Sequence, residues 1–418
     1  MNILLKAATV IDPQSPFHKQ TVDIKITDGI ITAIGKQLKD EDAQHITHKN
    51  LHVSQGWFDS SVCLGEPGYE ERETIINGLD VAAASGFTAI ALQPHTNPIL
   101  DTSTAISFVQ QRAQGKLTKL YPVGALTRHS DGVDLAELYD MQQAGAVAFG
   151  DYKKPLENAN MLKVALQYTQ GFNGLTLSFA QDAQIAGKGL VNEGNVSTAL
   201  GLKGIPSLAE SLQVARDIHI LEYTGGQLHI PTISTAQSVA LIRAAQQKGL
   251  NVSCSVAIDQ LYFTDAVLED FDTNFKVSPP LRTAADRDAL ITGLEDGTIA
   301  MVTSDHNPLD IEHKKKEFDH ATPGTLGLET AFSALLQRIP LETAIKGLTA
   351  GREVFTHASA KIEEGVTANI TLFDPKTTYT FTESHIQSTS KNSPYIGETL
   401  KGKVIGCIAG TQTQLNNG

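Results

Sequence analysis

The segment Asp59-Ser60-Ser61-Val62-Cys63-Leu64-Gly65-Glu66-Pro67-Gly68 places Asp59, Ser61, Cys63 and Gly65 on one face of an extended strand, because successive side chains of a strand point to opposite sides. That face offers a carboxylate, a hydroxyl and a thiol in a row, followed by a gap. A second concentration of chemical residue types lies in Ser304-Asp305-His306-Asn307-Pro308. A carboxylate beside an imidazole suits a general base or a metal ligand. Zinc takes about four ligands from Cys, His and carboxylate. Cys63 and Asp305 with His95, His229 or His306 are the donors this chain could bring to an ion. Read by itself, Cys63 is a small buried apolar residue, and His229 points into the barrel wall or makes a hydrogen bond within the core rather than ligating metal. Arg128-His129-Ser130-Asp131 holds the residue types of a catalytic triad, but four adjacent loop residues cannot converge as triad members do. The chain has no P-loop, no G-x-G-x-x-G opening a helix and no G-x-S-x-G elbow.

These positions need a scaffold, and the periodicity describes one. Apolar runs of strand length at Trp57 to Leu64, Phe87 to Leu92, Leu120 to Leu126, Ala146 to Phe149, Leu175 to Leu177, Leu228 to Ile230, Val252 to Ile258 and Ile299 to Thr303 read as buried parallel strands. Amphipathic segments at Glu73 to Ala84, Asp134 to Ala144, Leu208 to Tyr223 and Thr235 to Lys248 read as helices between them, and Gly86, Gly145, Gly225 and Gly249 mark their ends. Eight such units predict an α/β fold of the (β/α)8 TIM-barrel type over residues 55–357, with the site at the C-terminal ends of the strands. Alternating strands at Val22 to Ile26, Ile30 to Ile34, Asn369 to Phe373 and Lys403 to Ala409 predict a small β-sandwich. Residues 1–54 form its N-terminal half and residues 358–418 its C-terminal half, because strand edges at each end need partners.

Composition narrows the classes. With 418 residues, 41% of them hydrophobic, the chain can bury a large core. A formal net charge of −13, with no basic run beyond Lys314-Lys315-Lys316, excludes nucleic acid and anionic membrane as expected partners. The three cysteines, Cys63, Cys254 and Cys407, form no C-x-x-C pair and no disulfide framework, which points to a reducing cytoplasm. Neither a leader nor an apolar run of about 18 residues is present, so a soluble, unprocessed protein is expected.

The first segment resembles D-x-H-x-H-x-R-E-P-G of the dihydroorotases, which belong to the metal-dependent amidohydrolases. The resemblance extends over nearly the whole chain. It is carried further by Asn192-Glu193-Gly194, Ala199-Leu200-Gly201-Leu202, Ser278-Pro279-Pro280-Leu281-Arg282, the Asp305 segment, Pro323-Gly324-Thr325-Leu326-Gly327-Leu328-Glu329-Thr330, Ser390-Lys391-Asn392-Ser393-Pro394 and Leu400-Lys401-Gly402-Lys403-Val404. In the family a metal-bound hydroxide opens or closes a cyclic amide, the metal lowering the pKa of its water to roughly 7.

What the resemblance implies at each ligand position is loss. Ser61 and Cys63 stand for the two strand-one histidines, and Tyr152, in Phe149-Gly150-Asp151-Tyr152, stands for the ligating aspartate after strand four. Phe179 and Thr232 stand for the histidines of strands five and six, and only Asp305, the position of the general base, is retained. The substrate positions change as well. Gly65 replaces the arginine that grips the substrate carboxylate, His95 replaces an asparagine after strand two, and Leu309 replaces a histidine after strand eight. Losing such a clamp removes charged hydrogen bonds worth roughly 1.5–3 kcal/mol each.

The expectation is a dihydroorotase-family protein of de novo pyrimidine biosynthesis without activity, with Asp305 vestigial and no cofactor. It would serve as a structural or regulatory partner of aspartate carbamoyltransferase within a homo- or hetero-oligomer. The alternative is a divergent metal-dependent hydrolase of another cyclic amide, with a rebuilt site that holds zinc.

Overall fold

The computed structural model describes residues 1–416; the last two residues of the expected C-terminal half-sandwich lie outside the described residues. Eight parallel strands, Trp57–Val62, Phe87–Leu92, Lys119–Gly124, Ala148–Phe149, Leu175–Leu177, Gln227–Ile230, Val252–Ala257 and Met301–Thr303, follow one another in chain order within one sheet. The first and eighth meet through the parallel bridge between Val62 and His306, where the Cys63 amide donates to the His306 carbonyl at 2.8 Å. The sheet is therefore a barrel, as the βα repeat predicted.

Strand alternation explains its two cores. Phe58, Ala89, Ala91, Val123, Ala148, Leu175, Leu177 and Met301 pack together with Phe355 in one cluster. Trp57, Ile90, Leu92, Leu120, Phe149, Leu228 and Val256, of the opposite parity, join the helix residues Leu79, Val109, Leu162, Val214, Ile242 and Leu290 in another. Small alanines on the first set leave room for Phe58 and Phe355. Threonine caps start several of the helices: Thr74, Thr102, Thr235 and Thr283 each accept from a backbone N–H in the first turn.

The stretch 134–144 differs from expectation. Only Leu138–Gln143 is helical. The preceding residues are drawn out because Leu135 bridges Thr127 and the Ala136 amide donates to the Leu126 carbonyl at 3.0 Å. Pairing with the turn just before it overrides the helical pattern there.

Both termini build one further sheet. Its path runs through Gln412–Leu415, Thr399–Ala409, Asn369–Thr380, His52–Gln55, Asn2–Val10, Thr21–Thr27 and Ile30–Gly35, with Gln44–Ile46 paired to Asn2–Val10. The junction of the two ends is the antiparallel pair Ile370↔Gln55 to Phe373↔His52. The sheet curls until Ile30 bridges Thr367, and it encloses Leu5, Val22, Ile24, Ile31, Val53, Ile370, Leu372 and Ile408. The Asp28-Gly29 hairpin turns with φ of 47° and 80°, the left-handed pair that a two-residue loop requires. The C-terminal segment is not confined to this sheet. Ser390 Oγ donates to the Arg72 carbonyl at 2.9 Å, Asn392 Nδ2 to the Asn307 carbonyl at 3.1 Å, and Tyr395 Oη to Asp259 Oδ1 at 2.7 Å, so this stretch is packed on the barrel. Among the described residues no helix is long and apolar enough to cross a membrane.

Candidate active site

Asp305 stands at the end of the eighth strand, 5% exposed. Three side chains from other strands converge on its carboxylate. Ser61 Oγ donates to Oδ1 at 3.1 Å, Tyr152 Oη to Oδ1 at 3.4 Å, and Lys153 Nζ to Oδ2 at 2.6 Å. The Lys153 side chain is itself only 13% exposed. Ends of strands one, four and eight are thus joined at one carboxylate.

The surroundings complete a plug. Ser61, Gln93, Gly150, Asp151, Tyr152, Lys153, Leu177, Phe179, Pro231 and Thr232 line a cavity of about 20 Å³, room for one water. Outside it, the His95 ring lies 5.5 Å from the Tyr152 ring and 6.3 Å from the Tyr69 ring. Lys153 Nζ sits 5.1 Å from the Tyr152 centroid and the Arg72 guanidinium 4.1 Å from the Tyr69 centroid. Cation–π contacts therefore stand at both ends of an aromatic row.

The positions read from the sequence thus divide. Ser61, Tyr152, Phe179, Thr232 and Asp305 are brought together, with Cys63 buried near them and His95 at the rim. Leu309 lies apart. Its amide donates to Asn392 Oδ1 at 3.1 Å, and its side chain lines an outer cleft with Lys314 and Lys391. Gly65 is covered by its own loop: a β-carbon there would lie 2.0 Å from the Tyr69 carbonyl oxygen. His229 makes the core hydrogen bonds expected of it, Nδ1 with Ser253 Oγ at 2.8 Å and Nε2 with Ser255 Oγ at 3.2 Å. Burial lowers its pKa to about 3. His306 is turned away, its Nδ1 accepting from the Gly327 amide at 3.3 Å.

A divalent metal does not fit these residues. Ser61 and Thr232 offer only neutral hydroxyls, and in the metal-free site burial pushes the Cys63 thiol up to about 12 and the Tyr152 phenol well above its usual value. Phe179 has no donor atom, and an ammonium already contacts Asp305. Among the described residues no group of three or more His, Cys, Asp or Glu is disposed to hold an ion.

Lys153, Tyr69 and Arg72 were not singled out from the sequence. The one signal for Lys153 is that it follows Tyr152, which the resemblance sets at a ligand position. Its contact with Asp305 spans 152 residues, and no local spacing reveals such a pair.

Retained motif residues hold the frame. Asp59 is fully buried and ties strand one to strand eight, accepting from the Ser61 and Ser304 amides at 3.0 and 2.9 Å and from the Thr303 hydroxyl. Burial raises its pKa to about 6 despite those donors. Glu66 accepts from the Ile75 amide and from Arg112 Nε at 2.9 and 2.5 Å. Asp151 faces the Leu126 and Thr127 amides at 3.0 and 3.1 Å, joining the ends of strands three and four. Buried Arg282 donates to Asn192 Oδ1 at 3.0 Å and to Ser234 Oγ at 3.1 Å.

Comparison with known proteins agrees with this frame. The family described as Dihydro-orotase-like matches residues 52–238. A dihydroorotase of Pelotomaculum thermopropionicum is 39% identical over 417 residues, covering 98% of this chain and 97% of the relative. A dihydroorotase of Syntrophus aciditrophicus is 38% identical over 414 residues, with 97% of each chain covered. Among solved structures, an L-hydantoinase (dihydropyrimidinase) from Arthrobacter aurescens superposes with a TM-score of 0.86 at 22% identity, over 100% of this chain and 96% of that one. At that identity the likeness is one of fold.

Proposed function

The chain belongs to the dihydroorotase family, and from that premise we propose that it is a member without catalytic activity, kept as a folded partner of aspartate carbamoyltransferase in pyrimidine synthesis. The observation that carries the loss of activity is the cavity of about 20 Å³ left between Ser61, Tyr152, Phe179 and Thr232. A six-membered cyclic amide with its carboxylate is many times larger than the single water that such a space admits. The hydrolytic route also needs an activated water, and Asp305 is engaged by Lys153 rather than free to act as a base.

Retention of the frame supports the partnership. The frame of buried donors and acceptors around Asp59, Asp151 and Arg282 is intact although the chemistry at the mouth is gone. A fold kept without its reaction serves as a surface. Aspartate carbamoyltransferase is the partner that the family resemblance implies.

Three measurements on the purified chain test this reading. Zinc well below one per chain after dialysis, no hydrolysis of dihydroorotate with zinc added, and co-elution with aspartate carbamoyltransferase from the same organism are the expected results. Turnover at ordinary enzyme rates would instead support the divergent amidohydrolase, and separate elution would remove the partner.

A further inference from the structure

Where the family binds a metal, this chain brings an ammonium. Lys153 Nζ lies 2.6 Å from Asp305 Oδ2, with 13% and 6% of the two side chains exposed. A buried carboxylate demands a positive partner or strong donors. Ser61 and Tyr152 supply two neutral donors, at 3.1 and 3.4 Å, and Lys153 supplies the charge. The backbone points the same way. Lys153, Thr232 and Asp305 have φ of 52°, 50° and 50°, the left-handed region that non-glycine residues seldom occupy and that persists only where the surroundings enforce it. These three residues stand beyond the ends of strands four, six and eight. At Lys153 the left-handed turn accompanies a side chain that crosses to Asp305.

We infer that Lys153 is a built-in cation, which takes over at Asp305 the charge-neutralising duty of the family's metal and so locks the ends of strands one, four and eight together. The Tyr152 ring steadies the ammonium from the side, 5.1 Å from Nζ. The inference rests on the non-catalytic reading above and adds a residue that does the metal's structural work.

The test is thermal unfolding of the full chain and three variants. Lys153→Met removes the charge and keeps the stem. Lys153→Gly also relieves the left-handed backbone. Both are expected to melt at least about 5 °C below the parent, on the scale by which local losses move the melting point of a chain this size. Adding Asp305→Asn to Lys153→Met is expected to restore part of the loss, because the orphaned charge is then gone. If Lys153→Met is insoluble, the double variant is expected to be soluble, and equal insolubility overturns the inference. A Lys153→Met variant that melts with the parent, or a Lys153→Gly variant that melts above it, also overturns it. Zinc analysis of the same preparations separates the two readings. Stoichiometric zinc in the parent overturns the non-catalytic reading, whereas a zinc-free parent melting with its Lys153→Met variant overturns the role of the ammonium alone.

Discussion

The carbonyl oxygen of Tyr69 occupies the space that a side chain on Gly65 would need, 2.0 Å from the position of its β-carbon. The Tyr69 amide also donates to the Gly65 carbonyl at 2.8 Å, closing the Gly65–Tyr69 turn on itself. The place where the resemblance expects a substrate clamp is thus filled by backbone, which cannot swing aside as a flexible side chain could.

Gly65→Arg will therefore not rebuild a carboxylate site. Forcing a side chain against a backbone carbonyl costs at least about 2 kcal/mol by the standard of overpacked positions. Chemical denaturation should show that loss, and calorimetric titration with dihydroorotate should show no binding. A variant as stable as the parent that binds dihydroorotate would contradict the closed-loop reading.

Restoring ligands will not suffice while Lys153 remains. Ser61→His with Cys63→His leaves Tyr152, Phe179 and Thr232 in place, and even adding Tyr152→Asp, Phe179→His and Thr232→His leaves the ammonium 2.6 Å from Asp305 Oδ2. An ammonium already seated on that oxygen repels an incoming divalent cation. Elemental analysis should find little zinc in the five-fold variant and more once Lys153→Ala is added. Groups that act as a unit do not return activity piecemeal. Full zinc loading of the five-fold variant would show that the lysine is no obstacle.

Asp259 makes stability depend on pH. Burial raises its pKa to about 7, above an unfolded value near 3.9, although the Tyr395 hydroxyl donates to it at 2.7 Å. Between those values the folded chain holds a proton that the unfolded chain has released, so stability falls as pH rises from about 4 to about 7. Asp259→Asn, neutral throughout, should remove that part of the slope. Unfolding free energies at pH 5 and pH 8 that differ equally in both proteins would refute the assignment.

Glu210 should matter for stability and not for chemistry. It accepts from the Ser234 and Thr235 amides at 2.9 and 3.0 Å and from the Ser238 hydroxyl at 2.7 Å, beside buried Arg282. Glu210→Ala leaves these donors without their acceptor and the nearby buried Arg282 guanidinium without its counter-charge, a loss of about 3–5 kcal/mol. Denaturant unfolding reads it directly, and a change under about 1 kcal/mol would show that solvent reaches the site.

The barrel and the meeting of the chain ends were legible in the sequence because both follow from period: strand-length apolar runs alternate with helical ones, and edge strands at both ends need partners. The alternation also puts Ser61 on one strand face with Asp59, and Ser61 does reach Asp305. The helix expected from Asp134 failed because Thr127 pairs with Leu135, a contact with no local signature. Tertiary structure alone decided how the space around Asp305 is filled. The ion pair of Lys153 with Asp305, the row of Tyr69, His95 and Tyr152, and the Tyr69 carbonyl over Gly65 depend on where loops from different strands come to rest. Such loops carry no repeat, and polar side chains far apart in the chain pair only when the barrel has closed and solvent has left between them.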